Sequence, residues 1–362
     1  MDGGPNTATP PDQTAIMLGI ETSCDETAAA VVRRDRTVLA ARVAGQLDQH
    51  APYGGVVPEI AARAHVEALD HAIQAVMAEA GLGFAELTGI AATTGPGLIG
   101  GLMVGAVTAK ALAAAHGRPF VAVNHLEGHV LTPRLTDAIG FPYLVLLVSG
   151  GHTQLVLVEG VGCYRRLGTT IDDAAGEAFD KVAKLLGLGF PGGPALERFA
   201  AGGDPTRFAL PRPLAGQPGC HFSFSGLKTA VLHALRRAVD ADEATRRDLA
   251  ASFQAAAADA LAARTRRAVA IARERAPALA RLAVVGGVAA NGTVRAALEA
   301  VAAGAGLGFH APPLALCGDN AVMIAWAALE RGGSGDPLDA PVRARWPLDP
   351  DAEPAIGAGV KA

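Results

Sequence analysis

Apolar positions fall into short runs separated by polar or glycine-rich turns. Residues 15–21, 28–32 and 38–43 are three such runs, and Thr22-Ser23-Cys24-Asp25-Glu26-Thr27 separates the first two. That spacing predicts a strand, a tight turn and a second strand, with polar side chains at the hairpin tip. Over 58–80, Ile60, Ala64, Leu69, Ile73 and Met77 share one face at helical spacing. Strands are predicted at 90–94 and 120–123, and a buried helix at 98–115. A further helix opens at Asn124-His125. It is expected to stop near Pro133, which lacks an amide proton and crowds the preceding turn.

The pattern restarts at Phe141. Residues 143–148 form an unbroken apolar strand, Ser149-Gly150-Gly151-His152-Thr153 a small polar turn, and 154–159 a second strand. Two hairpins of one design predict two halves of similar fold, with a boundary near Gly140. Farther on, 174–186 is helical and ends in a rigid Gly/Pro loop at 187–194, while 201–223 is irregular. Helices are predicted at 225–238 and 245–275. A strand at 281–285 leads through Gly286-Gly287-Val288-Ala289-Ala290-Asn291 into a helix from Thr293, and Asp319 opens the last helix, which runs to about Arg331. Strands alternating with helices indicate an α/β fold.

One stretch tests whether the chain is soluble. Residues 87–109 carry no charge over 23 positions, enough to span a bilayer. Gly95-Pro96-Gly97 breaks any single helix there, so a buried strand, a glycine turn and a helix are expected, and no membrane partner. The 362 residues suggest two domains. Half the residues are hydrophobic and 18% are charged, which supplies a large core and excludes widespread disorder. The net charge of −4 excludes a protein that holds nucleic acid by bulk positive charge alone, but not a local basic patch. Only five of the 31 basic residues are Lys, a skew that reads as coding bias. Cys24, Cys163, Cys220 and Cys317 are too dispersed for a CxxC motif and fit a reducing, cytoplasmic setting. Residues 1–14 are polar, have no apolar signal region and are read as a flexible extension.

Several residues could carry chemistry. Ser149-Gly150-Gly151 follows a buried strand, where glycines admit positive φ and let backbone N–H groups approach an anion. Gly286-Gly287 lies between a strand and a helix, where the helix N-terminus favours phosphate. Each could equally be a tight turn; together with Gly192-Gly193 they favour nucleotide binding. His125 and His129 are four apart and share a helix face, so both can ligate one ion. The pair resembles the zincin motif, but Glu127 is misplaced for a general base and should point away from the metal face. Asp319 is the best third ligand, or else the N-cap of its helix. Two His and one carboxylate with open positions suit Fe(II) or a non-redox ion such as Zn(II). Asp25 and Glu26 are either exposed turn acids or carboxylates aimed into a cleft. Arg264, Arg266, Arg267, Arg273 and Arg275 form a basic stretch, read as a solvated face with contact to tRNA or a partner as the alternative.

Taken together, these segments resemble the TsaD family of tRNA adenosine threonylcarbamoyltransferases, formerly called O-sialoglycoprotein endopeptidases. The matching pieces include Gly19-Ile20-Glu21-Thr22-Ser23-Cys24-Asp25-Glu26-Thr27, Tyr53-Gly54-Gly55-Val56-Val57-Pro58-Glu59, Thr94-Gly95-Pro96-Gly97-Leu98 and His125-Leu126-Glu127-Gly128-His129. Leu147-Val148-Ser149-Gly150-Gly151-His152-Thr153-Gln154, Asp172 through Lys181, Pro191-Gly192-Gly193-Pro194, Phe222 through Lys228, Gly286 through Asn291 and Cys317-Gly318-Asp319-Asn320 continue the series in family order.

The resemblance implies an actin-like, sugar-kinase-like ATPase fold with two lobes and the ligand in the cleft between them. On that reading 15–140 is the N-terminal lobe, 141–318 the C-terminal lobe, a helix at about 319–333 packs back on the first lobe, and 334–362 is a tail. It implies transfer of the threonylcarbamoyl group of threonylcarbamoyl-AMP to N6 of the adenosine 3′ of the anticodon, with release of AMP. Carried over by motif, His125, His129 and Asp319 bind one divalent ion, Fe(II) or Zn(II). Leu147, Val148, Ser149, Gly150 and Gly151 wrap the phosphate and acyl end, and Asp180, Gly193, Glu197 and Asn291 hold the nucleotide. Asp25 and Glu26 are the candidates for proton transfer. The implied partners are tRNA and proteins resembling TsaB and TsaE. A metalloprotease, another ATPase of the same fold and a non-catalytic scaffold are the alternatives. The extension before Ile16 and Asn124 ahead of His125 depart from the family pattern.

Overall fold

The computed structural model describes residues 12–238 and 242–353. Most of the extension at 1–14 and the end of the tail at 334–362 lie outside the described residues. In the N-terminal half, β1 (Ile16–Glu21), β2 (Glu26–Arg33) and β3 (Val38–Gly45) form a meander. The short α1 (Leu47–His50), α2 (Pro58–Ala80), β4 (Gly89–Gly95), α3 (Ile99–His116) and β5 (Phe120–Asn124) follow. The sheet order is β3-β2-β1-β4-β5, with β1, β2 and β3 antiparallel and β1, β4 and β5 parallel. The parallel pairs need crossovers, and α2 and α3 supply them.

α4 (His125–Asp137) leads into the second half. There β6 (Tyr143–Val148), β7 (Thr153–Gly160) and β8 (Cys163–Thr169) form another meander. α5 (Ala175–Leu185), α6 (Gly192–Ala200), α7 (Ser225–Arg237) and α8 (Glu243–Arg275) come next, then β9 (Arg281–Val285), α9 (Gly292–Gly304), β10 (Gly308–His310) and α10 (Ala321–Glu330). This sheet, β8-β7-β6-β9-β10, repeats the first in order and strand direction. The two halves expected from the hairpins are therefore alike in topology.

α4 and α10 lie between the sheets. Met17, Ala28, Val121 and Val123 of the first sheet and Tyr143, Val145, Leu147 and Ala283 of the second bury against one core with Leu126, Val130, Ile324 and Trp326 of these two helices. The Val, Leu, Ile and Met side chains among them each stabilise by about 1.5–3 kcal/mol when fully buried. α10 is apolar all round (AVMIAWAALE), as a helix enclosed on every side must be. Gly19 lets it approach β1, because a Cβ there would lie 2.4 Å from the Ala321 carbonyl oxygen.

The structure corrects several expectations. α4 does not stop at Pro133 but runs to Asp137, because Leu131, Pro133 and Leu135 are buried in tertiary contacts that outweigh the missing amide bond. α3 is not wholly buried: Leu102, Ala106 and Ala109 pack inward, while Ile99, Met103 and Val107 stay about half exposed. Among the described residues α3 is the one helix long and apolar enough to cross a membrane, and it packs on β4 and α2. The loop drawn through residue 194 ends earlier, since α6 starts at Gly192. β8 and β10 were not predicted; β8 is unevenly buried and β10 has three residues, so neither carries a clear period. The solvated face expected of the basic stretch holds for Arg266, Arg267, Arg273 and Arg275, which are exposed, and fails only at Arg264, which is buried. Arg264 Nη1 donates to the Gln217 and Gly219 carbonyls, Arg273 donates to the Ala305 carbonyl and Arg275 pairs with Glu159.

Candidate active site

The first turn of α4 and the turn before α10 converge between the sheets. α4 is capped by Asn124, whose Oδ1 accepts from the Leu126 N–H at 2.9 Å, and this sets His125 and His129 on one inward face. Asp319 does not cap α10. Asn320 does, accepting from the Met323 N–H at 3.0 Å, which leaves the Asp319 carboxylate free to face the histidines. Asp319 Oδ1 lies 3.0 Å from His129 Nε2 and 3.4 Å from His125 Nε2. Donors that each hold an ion at about 2.0–2.2 Å sit roughly 3–3.5 Å apart, so the spacing fits a shared ion. His129 Nδ1 is buried with no hydrogen-bond partner, so Nε2 is the nitrogen this ring commits to Asp319 and the site.

Burial works against every charge here. It is nonetheless outweighed at Asp319, where His125 and His129 hold the carboxyl well below its usual range. Burial is likewise outweighed at His125, which Asp319 and Glu21 together raise well above the ordinary imidazole value. The N-terminal ends of α4 and α10 add partial positive charge that favours anions at this point.

The hairpin tip supplies a surrounding layer that sequence reasoning missed. Glu21, fully buried, accepts from the Ser23 N–H at 2.6 Å and from the Thr93 hydroxyl, and lies 3.1 Å from His125 Nδ1. The available signal was a carboxylate closing an otherwise apolar strand. Behind the tip runs a chain of hydrogen bonds: Val57 N–H to His50 Nδ1, His50 Nε2 to Gln46 Oε1, Gln46 Nε2 to His65 Nδ1, and His65 Nε2 to the Cys24 carbonyl. Asp25 and Glu26 sit half-buried at this tip. Burial, then the charges of Asp319 and Asp25, push Glu26 up to about 9. Glu127 is turned away from the histidine pair. It accepts from the Tyr164 hydroxyl at 2.8 Å, which removes the general base a zincin-type protease needs.

The second hairpin, Val148 to Thr153, carries Ser149, Gly150 and Gly151 at its tip. Its ladder ends at Val148 and Thr153, and Ser149 N–H closes the turn on the His152 carbonyl at 2.8 Å. Neither glycine adopts positive φ, and a Cβ at either would meet nothing within 4 Å. The expectation of left-handed backbone is therefore corrected: these glycines leave open space in front of the loop. Leu147 and Val148 are buried strand residues behind it.

The remaining predicted residues form one wall. Asp180 Oδ1 accepts from the Gly192 and Gly193 N–H groups at 2.8 and 3.3 Å, which caps α6 from a neighbouring helix. Glu197 accepts from the Gly292 N–H at 2.7 Å, and Asn291 caps α9 while donating to Gln254. Burial raises the Asp180 pKa, the two N–H groups oppose this, and the Asp25 charge adds to the rise, so the first hairpin tip is within electrostatic reach of the wall.

Two solved structures share the fold. HypF from T. kodakarensis has a TM-score of 0.60 at 18% identity, covering 90% of this chain and 48% of that one. Component A of the Acidaminococcus fermentans (R)-2-hydroxyglutaryl-CoA dehydratase has a TM-score of 0.53 at 16% identity, covering 89% of this chain and 100% of that one. These likenesses show the two-lobed, actin-like fold alone. Sequence relatives reach further. A protein of Maricaulis maris (strain MCS10) is 59% identical across 100% of this chain and 99% of the relative. One of Erythrobacter litoralis (strain HTCC2594) is 61% identical across 96% and 99%. Both are named tRNA N6-adenosine threonylcarbamoyltransferase. Residues 37–326 match the family of that description, and the chain belongs to the TsaD family, the tRNA N6-adenosine threonylcarbamoyltransferases.

Proposed function

We propose that this chain transfers the threonylcarbamoyl group of threonylcarbamoyl-AMP to N6 of the adenosine 3′ of the anticodon and releases AMP. The observation that carries the reading is the convergence of His125, His129 and Asp319 at the junction of α4 and α10, in a chain whose second hairpin tip is left open at Gly150 and Gly151. The N6 nitrogen forms a bond to the carbamoyl carbon, the bond from that carbon to the phosphate oxygen breaks, and N6 gives up one proton. An exocyclic adenine amine is a weak nucleophile, so the donor must be held and polarised.

His125, His129 and Asp319 hold one divalent ion, assigned as Fe(II), with Zn(II) as the alternative that elemental analysis distinguishes. When bound, the ion supplies Lewis acidity and a template for the donor's oxygens. The Ser149–Gly151 backbone receives the phosphate and acyl end, where N–H groups stabilise developing charge. Asp180, Gly193, Glu197 and Asn291 orient the nucleotide. Asp25 and Glu26 are assigned to proton transfer at N6, with Asp25 taking the proton, because a Glu26 carboxyl raised to about 9 keeps its own at neutral pH. The half-exposed Val66, Ile99, Met103 and Val107 on α2 and α3 form an apolar face, assigned to a TsaB-like partner, with a TsaE-like ATPase completing a cytoplasmic assembly. Residues 15–140 with the 319–333 helix act as one lobe and 141–318 as the other.

The test supplies threonylcarbamoyl-AMP and unmodified tRNA, with and without partner proteins, and measures modified adenosine by mass spectrometry. The metal-loaded chain with its partners should form it. His125→Ala and Asp319→Ala should each lose the ion and about a hundredfold or more in rate, the scale of removing a charge-stabilising group. No modified adenosine from the fully loaded assembly would overturn the reading.

A further inference from the structure

We propose that Glu21 is a positioning residue that fixes which nitrogen of His125 faces the metal. The inference deepens the metal reading above and rests on it. Glu21 has no exposed surface, and each oxygen has a committed partner. Oε1 accepts from the Ser23 N–H at 2.6 Å, while Oε2 accepts from the Thr93 hydroxyl and lies 3.1 Å from His125 Nδ1. The Ser23 hydroxyl is also 3.1 Å from that nitrogen and could donate to it or accept from it. The carboxylate cannot: it only accepts. Beside it, His125 Nδ1 must carry a proton, which leaves Nε2, the nitrogen 3.4 Å from Asp319 Oδ1, as the one whose lone pair an ion can take in place of a proton. A histidine that ligates through one nitrogen commonly donates its other N–H to a carboxylate in this way, which locks both tautomer and ring plane.

The geometry makes Glu21→Gln more disruptive than its size suggests. The Ser23 N–H is a donor, so the amide oxygen of the new side chain must stay on it. The amide nitrogen then falls at the Oε2 position and donates towards His125 Nδ1. That nitrogen becomes an acceptor, and the proton moves to Nε2, where it blocks the ligand position. A carboxylate-to-amide change of nearly equal volume thus inverts the tautomer without opening a cavity.

The experiment titrates metal-free protein with Co(II), followed by its visible absorption, in wild type, Glu21→Gln and His125→Ala. Circular dichroism melting is recorded on each. Glu21→Gln should bind Co(II) about 10–100-fold more weakly than wild type while melting normally. Proton–nitrogen correlation spectra of the Zn(II)-loaded wild type provide a readout that needs no variant to fold. They should show a downfield His125 Nδ1 proton and a metal-shifted Nε2. If His125→Ala binds Co(II) as tightly as wild type, the metal reading itself fails. If His125→Ala loses the ion while folded Glu21→Gln keeps wild-type affinity, or the Zn(II) form lacks the Nδ1 proton, the Glu21 assignment alone is wrong.

Discussion

The two hairpin tips occupy equivalent places in duplicated sheets and are built from opposite materials. The first, Thr22 to Glu26, is dense with side chains and packed from behind. Glu21 reaches His125, His65 holds the Cys24 carbonyl, and the Thr22 hydroxyl donates to the Gly101 carbonyl at 2.9 Å. The second, Ser149 to His152, presents backbone and empty space. A cation site needs side-chain donors held at fixed distance, whereas a phosphate or acyl oxygen is served by main-chain N–H groups free of Cβ atoms. On the proposed function, one architecture used twice divides the labour between its two loops. Neighbouring glycines permit close packing at both tips, Gly97 and Gly101 at the first and Gly176 and Gly286 at the second, but the second also carries glycines in the tip itself, and these keep a space open.

The largest effect expected from breaking this contrast is at Gly101. A Cβ there would lie 2.3 Å from the Thr22 carbonyl oxygen and 3.0 Å from the His65 ring. Gly101→Val should push α3 off the hairpin, cost about 1–3 kcal/mol or more of stability and displace Glu21 from His125. Urea unfolding with elemental analysis checks it, and a variant as stable and metal-rich as wild type would show that the first tip is not clamped as described. Next in size is Gly151→Val. Nothing in the fold resists this side chain, so the melting temperature and metal content should stay put. AMP binding measured by calorimetry should weaken about tenfold or more, close to 1.4 kcal/mol. Unchanged AMP affinity would make the second tip a plain turn, and a fall in stability together with metal would make it a structural one.

What could be read from sequence follows the range of the interactions. The hairpins, α2, α8 and the His125–His129 pair depend on local periodicity and were legible. Asp319 was legible as a candidate ligand, but its capping alternative was settled only by Asn320, one residue on, taking the cap. The stop at Pro133 failed because propensity yields to burial when a helix is enclosed by two sheets. Glu21 was visible as a residue yet not in its role, because Ser23, Thr93 and His125 reach it from three different segments. Asp180 capping α6 from another helix is invisible for the same reason, which is why the start of α6 was read as loop.

The smallest effect expected sharpens the contrast through pH. The relay behind the first tip works only with neutral imidazoles, since His65 Nδ1 accepts from Thr27 and Gln46 while Nε2 donates to the Cys24 carbonyl. Burial holds the His65 pKa below its ordinary 6.5, outweighing the hydrogen bond to Cys24 and the charges of Glu21 and Asp25, with nearby His50 lowering it further. A depressed folded pKa gives stability that is complete above 6.5 and is lost as pH falls towards the folded value, because the unfolded chain takes up the proton first. His65→Gln keeps a donor near the Nε2 position, gives up the acceptor at Nδ1 and cannot titrate. Its stability at neutral pH should fall by less than about 1 kcal/mol, the net scale of one hydrogen bond. The drop in stability between pH 7.5 and 5 should be smaller than in wild type. Urea midpoints of the two proteins at both pH values measure this, and parallel losses in both would place the acid sensitivity elsewhere than the first hairpin tip.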